Sequence, residues 1–132
     1  MAKQFTLAKD ERLKSRKAID FLFKEGQRFT VSPFRLFYFQ TTDVVLQFGA
    51  GVSTKNFKKA VDRNKIKRLS REAWRLQKNE LQQALKNGKK GLHLFVIYTA
   101  KEIPDHQLVF DKMTVILNKL LKLVHENNIA NT

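Results

Sequence analysis

The chain has 132 residues, 42% of them hydrophobic, and carries 26 Lys and Arg against 12 Asp and Glu, a formal net charge of +14. That length holds one domain with one core, and the lack of cysteine excludes disulfides and thiolate metal sites and fits a reducing cytosol. No run approaches the roughly 20 apolar residues of a membrane span, and Met1-Ala2-Lys3-Gln4-Phe5 lacks a signal peptide's apolar stretch. A cytoplasmic single domain over residues 1–132 is expected, ordered from about 10 to 126 with flexible termini.

In chain order, residues 11–25 pattern as a helix, with Leu13, Ala18, Ile19, Leu22 and Phe23 on one side and Gly26 as C-cap. From Gln27 to Gln40 the run of Phe29, Val31, Phe34, Leu36, Phe37, Tyr38 and Phe39 favours strand, and Pro33 divides it into a short strand and a longer one. Thr41-Thr42-Asp43 is a turn, and Val44-Val45-Leu46-Gln47-Phe48 begins a third strand. Within it, Gly49 and Gly51 point to a bulge or a close backbone approach. A helix is predicted from about Phe57 to Lys86, stopping at Asn87-Gly88. Leu92 to Tyr98 is nearly continuous apolar, as in a strand buried on both faces. After Ile103-Pro104-Asp105, Val109, Met113, Ile116, Leu117, Leu120, Leu121 and Val124 recur at helical spacing to about His125, and the tail from Asn127 is expected to fray. No linker or internal repeat interrupts the chain. The order αβββαβα is that of a two-layer α+β sandwich.

Charge is unevenly distributed. Residues 1–28 net +4, 76–100 net +3, and 29–54 and 101–132 net zero, while Lys55 to Arg75 holds nine cations against two carboxylates. Cations this dense repel one another unless a polyanion compensates them, which points to nucleic acid. On a helix, Asn64, Lys67, Arg68, Arg71 and Arg75 share one face, while Ile66, Leu69, Ala73 and Leu76 form an apolar stripe opposite. Guanidinium groups can meet phosphates bidentately and Lys supplies point charges, contacts that orient a partner and carry little sequence information.

The segment Arg63-Asn64-Lys65-Ile66-Lys67-Arg68-Leu69-Ser70-Arg71-Glu72-Ala73 resembles the signature helix of the protein subunit of bacterial ribonuclease P, with Lys65 in place of the usual second Arg. Arg12-Leu13-Lys14, Phe23-Lys24-Glu25-Gly26 and Gly51-Val52-Ser53-Thr54-Lys55 are similar to further family segments, in the same order, so that the likeness runs from about Arg12 to Tyr98. The resemblance implies a ribosomal protein S5 domain 2-like fold with a left-handed β-α-β crossover, against the usual hand. It implies binding to ribonuclease P RNA and to precursor tRNA with its 5′ leader, with Arg63, Asn64, Lys67, Arg68 and Arg71 at matching positions, and the basic window adds Lys55, Lys58, Lys59, Lys65 and Arg75 as RNA-binding candidates. It also implies a leader cleft at Arg12, Ile19, Phe23 and Phe37, with Ile19 where the family usually has an aromatic residue, and with Lys55 and Arg63 holding phosphates at its mouth. The implied activity is endonucleolytic removal of the leader by the holoenzyme, in which Mg²⁺ is held mainly by the RNA, one protein serves per RNA, and no small-molecule cofactor or membrane takes part.

The residues alone suggest no active site in the protein. Twelve acids are scattered without Asp-x-Asp or Glu-x-x-His patterns, and His93, His106 and His125 fall on separate predicted elements without ligand spacing. No catalytic or metal-ligating residue is therefore assigned. Most of the eleven Phe must fill the core. Two other classes compete with the processing subunit: a noncatalytic ribosomal or RNA-chaperone protein, which would share the basic helix, and a DNA-binding module. The latter lacks an upstream helix-turn-helix partner, because residues 27–53 read as strands.

Overall fold

The computed structural model describes residues 11–130, with side chains to 126, so the expectation of flexible termini falls largely outside the described residues. Four helices and four strands follow in the order α1 (Arg16–Glu25), β1 (Gln27–Val31), β2 (Phe34–Thr41), β3 (Leu46–Val52), α2 (Ala60–Gln77), α3 (Asn79–Asn87), β4 (Gly91–Tyr98) and α4 (His106–Ala130). The α+β class stands. The order becomes αβββααβα, because the single helix expected from Phe57 to Lys86 starts at Ala60 and divides at Lys78.

The break has a physical cause. The Lys78 side chain is buried and its ammonium pairs with the Glu11 carboxylate, while the Lys78 carbonyl accepts from the Gln82 N–H at 2.9 Å to open α3. Just before it, the Gln77 amide donates to the Phe110 carbonyl and Gln77 Oε1 accepts from the Thr114 hydroxyl, which pins the end of α2 to α4. Both helices keep the same apolar period, so periodicity could not reveal the junction.

The sheet order is β1-β2-β4-β3. β1 and β2 form a hairpin whose register ends at Val31 opposite Phe34, leaving Ser32 and Pro33 as its turn, as Pro33 led one to expect. β2 pairs antiparallel with β4, and β4 pairs parallel with β3, with α2 and α3 forming the crossover. The open edge of β3 is partly covered by the N-terminal segment, where Arg12 bridges to Phe48 and the Leu13 N–H donates to the Phe48 carbonyl at 2.9 Å. That extended segment shortens the first helix, which was expected from residue 11. It begins at Arg16, with the Ser15 hydroxyl as N-cap accepting from the Ala18 N–H.

Strand parity divides the molecule. Leu92, Leu94, Val96 and Tyr98 of β4 are buried and face the large core beneath α2, α3 and α4, together with Phe48, Trp74, Met113 and Ile116. His93, Phe95 and Ile97 alternate with them and are only half-buried. β4 is thus closed on one face and not on both. On its other face α1 makes a smaller cluster from Leu13, Leu22 and Phe37, against which Ile19, Phe23, Phe95 and Ile97 pack. The last helix, expected to end near His125, continues to Ala130 and carries both His106 and His125.

Candidate nucleic-acid interface

α2 buries Ile66, Ser70, Ala73 and Trp74. The stripe differs from the expected one at its C-terminal end, where Leu76 is exposed and Trp74 is inside, stacked on Phe48 with centroids 4.6 Å apart. The indole needs the middle of the interface, and that rotation of the helix carries Leu76 outward. Ser70 is tolerated inside because its hydroxyl donates to the Ile66 carbonyl at 2.9 Å.

Away from that stripe, Asn64, Lys65 and Arg68 are exposed, while Arg63, Lys67, Arg71 and Arg75 are half-buried along the flanks. Lys55, Lys58 and Lys59 lie exposed in the connection from β3 to α2. The basic window thus becomes one surface, with two qualifications. Arg75 approaches Glu72 at 3.6 Å, a surface pair of little energetic consequence. Arg63 turns back, its Nη1 donating to the carbonyls of Phe57 and Lys58 at 2.8 Å each. Arg63 therefore braces the turn that presents the lysines, and the two hydrogens of that nitrogen are committed. The same turn is held from the other side by Asn56, whose amide donates to the Thr99 carbonyl at 2.9 Å.

A groove runs beside this surface, between α1 and the outer part of the sheet. One hollow of about 440 Å³ has Arg12 and Lys14 on one wall and Arg71 on the other, with Gly49 and Ala50 below. A second, of about 480 Å³, extends past Arg16 and Phe23 to Ser53, Thr54 and Lys55. Ile19 and Phe95 line both, so the two meet there. Arg12 also acts electrostatically on Arg71. Burial pushes the Arg71 guanidinium below its usual range, and the Arg12 charge pushes it further in the same direction. Two guanidinium groups that stay charged and repel each other across a hollow are relieved by an anion placed between them.

Of the four residues expected in the leader cleft, Arg12, Ile19 and Phe23 line the groove. Phe37 does not line either hollow. It is buried beneath Phe23, whose ring meets it edge-on at 4.9 Å, and the Arg28 guanidinium lies over its ring. Sequence reasoning missed Phe95 and Ile97 in the groove, since an unbroken apolar run hides which residues face out. The usable signal was Gly49 and Gly51, whose expected close approach is to the ring of Phe95. A Cβ on Gly49 would sit 2.6 Å from it and one on Gly51 2.9 Å.

Among the described residues no group of three or more His, Asp or Glu is placed to hold a metal ion, and no helix is long and apolar enough to cross a membrane. The charged side chains that line the two hollows are Arg12, Lys14, Arg16, Lys55 and Arg71, with no Asp or Glu among the lining residues.

Known proteins resemble this chain in sequence and in fold. The family model described as Ribonuclease P matches residues 7–123. A ribonuclease P protein component of Porphyromonas gingivalis (strain W83) is 35% identical over 108 residues, covering 80% of this chain and 79% of its own. That of Chlorobium phaeobacteroides is 31% identical over 128 residues, covering 87% and 88%. Among solved structures, the ribonuclease P protein of Thermotoga maritima superposes with a TM-score of 0.65 at 29% identity, over 83% of this chain and 96% of that one. The Staphylococcus aureus protein superposes at 0.63 and 20% identity, over 83% and 94%, a likeness of fold.

Proposed function

The chain belongs to the family of bacterial ribonuclease P protein subunits, and from that premise we propose how its surface is divided between two RNAs. As a member it is an RNA-binding subunit that assists 5′ maturation of tRNA, and the endonuclease is the holoenzyme it forms with RNA. In our reading the exposed arc of α2, with Asn64, Lys65, Lys67, Arg68 and Arg75, meets the phosphates of ribonuclease P RNA, and the groove takes the single-stranded 5′ leader of precursor tRNA.

The observation that carries this reading is the groove itself. It has Arg12, Lys14 and Arg71 at one end, Lys55 at the other, and aromatic side chains between. A single strand has phosphates and unpaired bases at alternating positions, and cations flanking a stacking surface match both. Arg63 contributes by holding the turn that carries Lys55, Lys58 and Lys59, so its replacement would act through their positions. Cations here lower the repulsion between catalytic RNA and substrate, which reduces the Mg²⁺ needed to bring them together. The ions themselves would find their oxygen ligands among RNA phosphates.

The test is cleavage of precursor tRNA at low Mg²⁺ by the protein alone, by a bacterial ribonuclease P RNA alone, and by the two together. Cleavage at the mature 5′ end only in the mixture is the expected result. Binding without rescue of cleavage, repeated with RNAs from several bacteria, would favour a ribosomal or chaperone role.

A further inference from the structure

The residue at the junction of the two hollows has the geometry of a platform. Phe95 lies in the middle of β4 on the half-open face of the sheet, directly opposite Gly49 in the parallel register, while Gly51 pairs with Ile97. Both glycines come within van der Waals range of its ring, and any side chain on either would displace it. A phenylalanine on an open sheet face would ordinarily be covered by its cross-strand neighbours. Here β3 has no side chain at the two nearest outward positions, so the ring lies over bare backbone. On its other side Phe23 from α1 packs edge-on at 5.4 Å, with interplanar angle 82°, and Phe37 in turn supports Phe23. The ring is held from below and from one edge, and it remains partly exposed in the groove.

We propose that Phe95 is the stacking platform for one nucleobase of the bound single strand, and that Gly49 and Gly51 exist to seat it. The proposal rests on the assignment of the groove to the leader and adds which residue reads it. Held aromatic rings favour unpaired bases because every base has a π-face, and such stacking tolerates sequence. Cations lie on either side, with Arg71 and Arg12 in one hollow and Lys55 in the other, so a base over Phe95 has its flanking phosphates directed toward positive charge. Ile19, the other residue shared by both hollows, offers an apolar wall but no ring. The dominant base contact is then Phe95 on the floor of the groove, with Phe23 of α1 beside it in the second hollow.

The experiment is a cycle between protein variants and abasic leaders. The reconstituted holoenzyme is assayed for affinity to precursor tRNAs in which each leader nucleotide in turn lacks its base, using the parent protein, Phe95→Leu and Gly51→Ala. Leu keeps most of the apolar volume and so preserves the fold, while removing the ring. With the parent protein, one abasic position is expected to weaken binding about ten-fold, the scale of one base–aromatic stack. With Phe95→Leu the intact leader should bind about ten-fold more weakly, and that abasic position should then cost nothing more. Gly51→Ala should reproduce the loss at the same nucleotide. If abasic penalties persist undiminished in both variants, the platform lies elsewhere and the proposal is overturned. If neither removing bases nor removing the whole leader changes the parent protein's affinity, the assignment of the groove to the leader fails first.

Discussion

The two faces of the sheet are built from the same strands and do opposite work. Beneath α2, α3 and α4, Leu94, Val96 and Phe48 are sealed against Trp74, Met113 and Ile116, and aromatic stacking serves cohesion. On the other face α1 is short and covers only part of the surface, where its Leu22 packs with Phe37 and Leu13. The strip left partly open holds Gly51, Phe95 and Ile97, with Gly49 buried beneath the Phe95 ring. Adjacent residues of β4 therefore lie in different surroundings, one in the closed core and the other on the partly open face that we propose binds RNA, separated by the two-residue period of the strand. Cations gather around the rim of the open face and along α2, and among the described residues the buried charge is Lys78, at the junction of α2 and α3, matched by Glu11.

The comparison breaks most directly at neighbouring positions of β4. Leu94→Ala removes a fully buried side chain and should lower stability by about 3 kcal/mol, whereas Phe95→Leu should cost less than about 1.5 kcal/mol while weakening leader binding. Urea denaturation and substrate affinity, measured on both variants, check the division. Similar stability losses would show that both faces are core.

Next in size is the buried pair. Glu11→Ala leaves the Lys78 ammonium enclosed without its carboxylate, and should destabilise by up to about 3 kcal/mol. Lys78→Met removes the charge with its burial penalty and should be milder. Denaturation midpoints of the two variants test that order, and the reverse order would mean that the ammonium is solvated.

Charge reversal on the exposed arc should leave the fold intact and act on RNA. Lys65→Glu with Arg68→Glu, both on exposed side chains, should weaken binding to ribonuclease P RNA at least about ten-fold and flatten the dependence of log affinity on log salt by about two units. An unchanged slope would remove α2 from the interface.

The smallest effect concerns His93, whose imidazole is half-buried beside the open strip. Burial lowers its pKa below 6.5, and the charge of Asp43 partly offsets this. A depressed folded pKa means that the unfolded chain binds the proton first. Stability is then full above 6.5, declines as pH falls through that value, and levels off below the folded pKa. His93→Gln should flatten that part of the profile, as seen in urea midpoints between about pH 7.5 and about pH 5.

Much of this was readable before any coordinates. The strand-rich stretch after α1, the turn at Pro33, the apolar strand before the last helix and the basic face of α2 all follow from period and residue type, which are local properties. Asn64, Arg68 and Arg71 could be placed on one face because helical geometry alone decides it. The break at Lys78 was not readable, because no Gly or Pro marks it and the partner of Lys78 there is Glu11, 67 residues away. Nor was the interior place of Phe37, since Phe23 and Phe37 are equally apolar and only the packing of α1 makes one the wall of the groove and the other its support.

By itself, then, the order of residues determined the α+β class, the concentration of positive charge and the family. Each is written in neighbours along the chain or in motif spacing. Only the tertiary structure decided which half of β4 is core and which lines the groove. An uninterrupted apolar strand has no internal mark for its two faces, and the choice falls to what packs against them. Three helices close one side, while the single helix on the other leaves Phe95 lying on two glycines at the floor of a cationic groove.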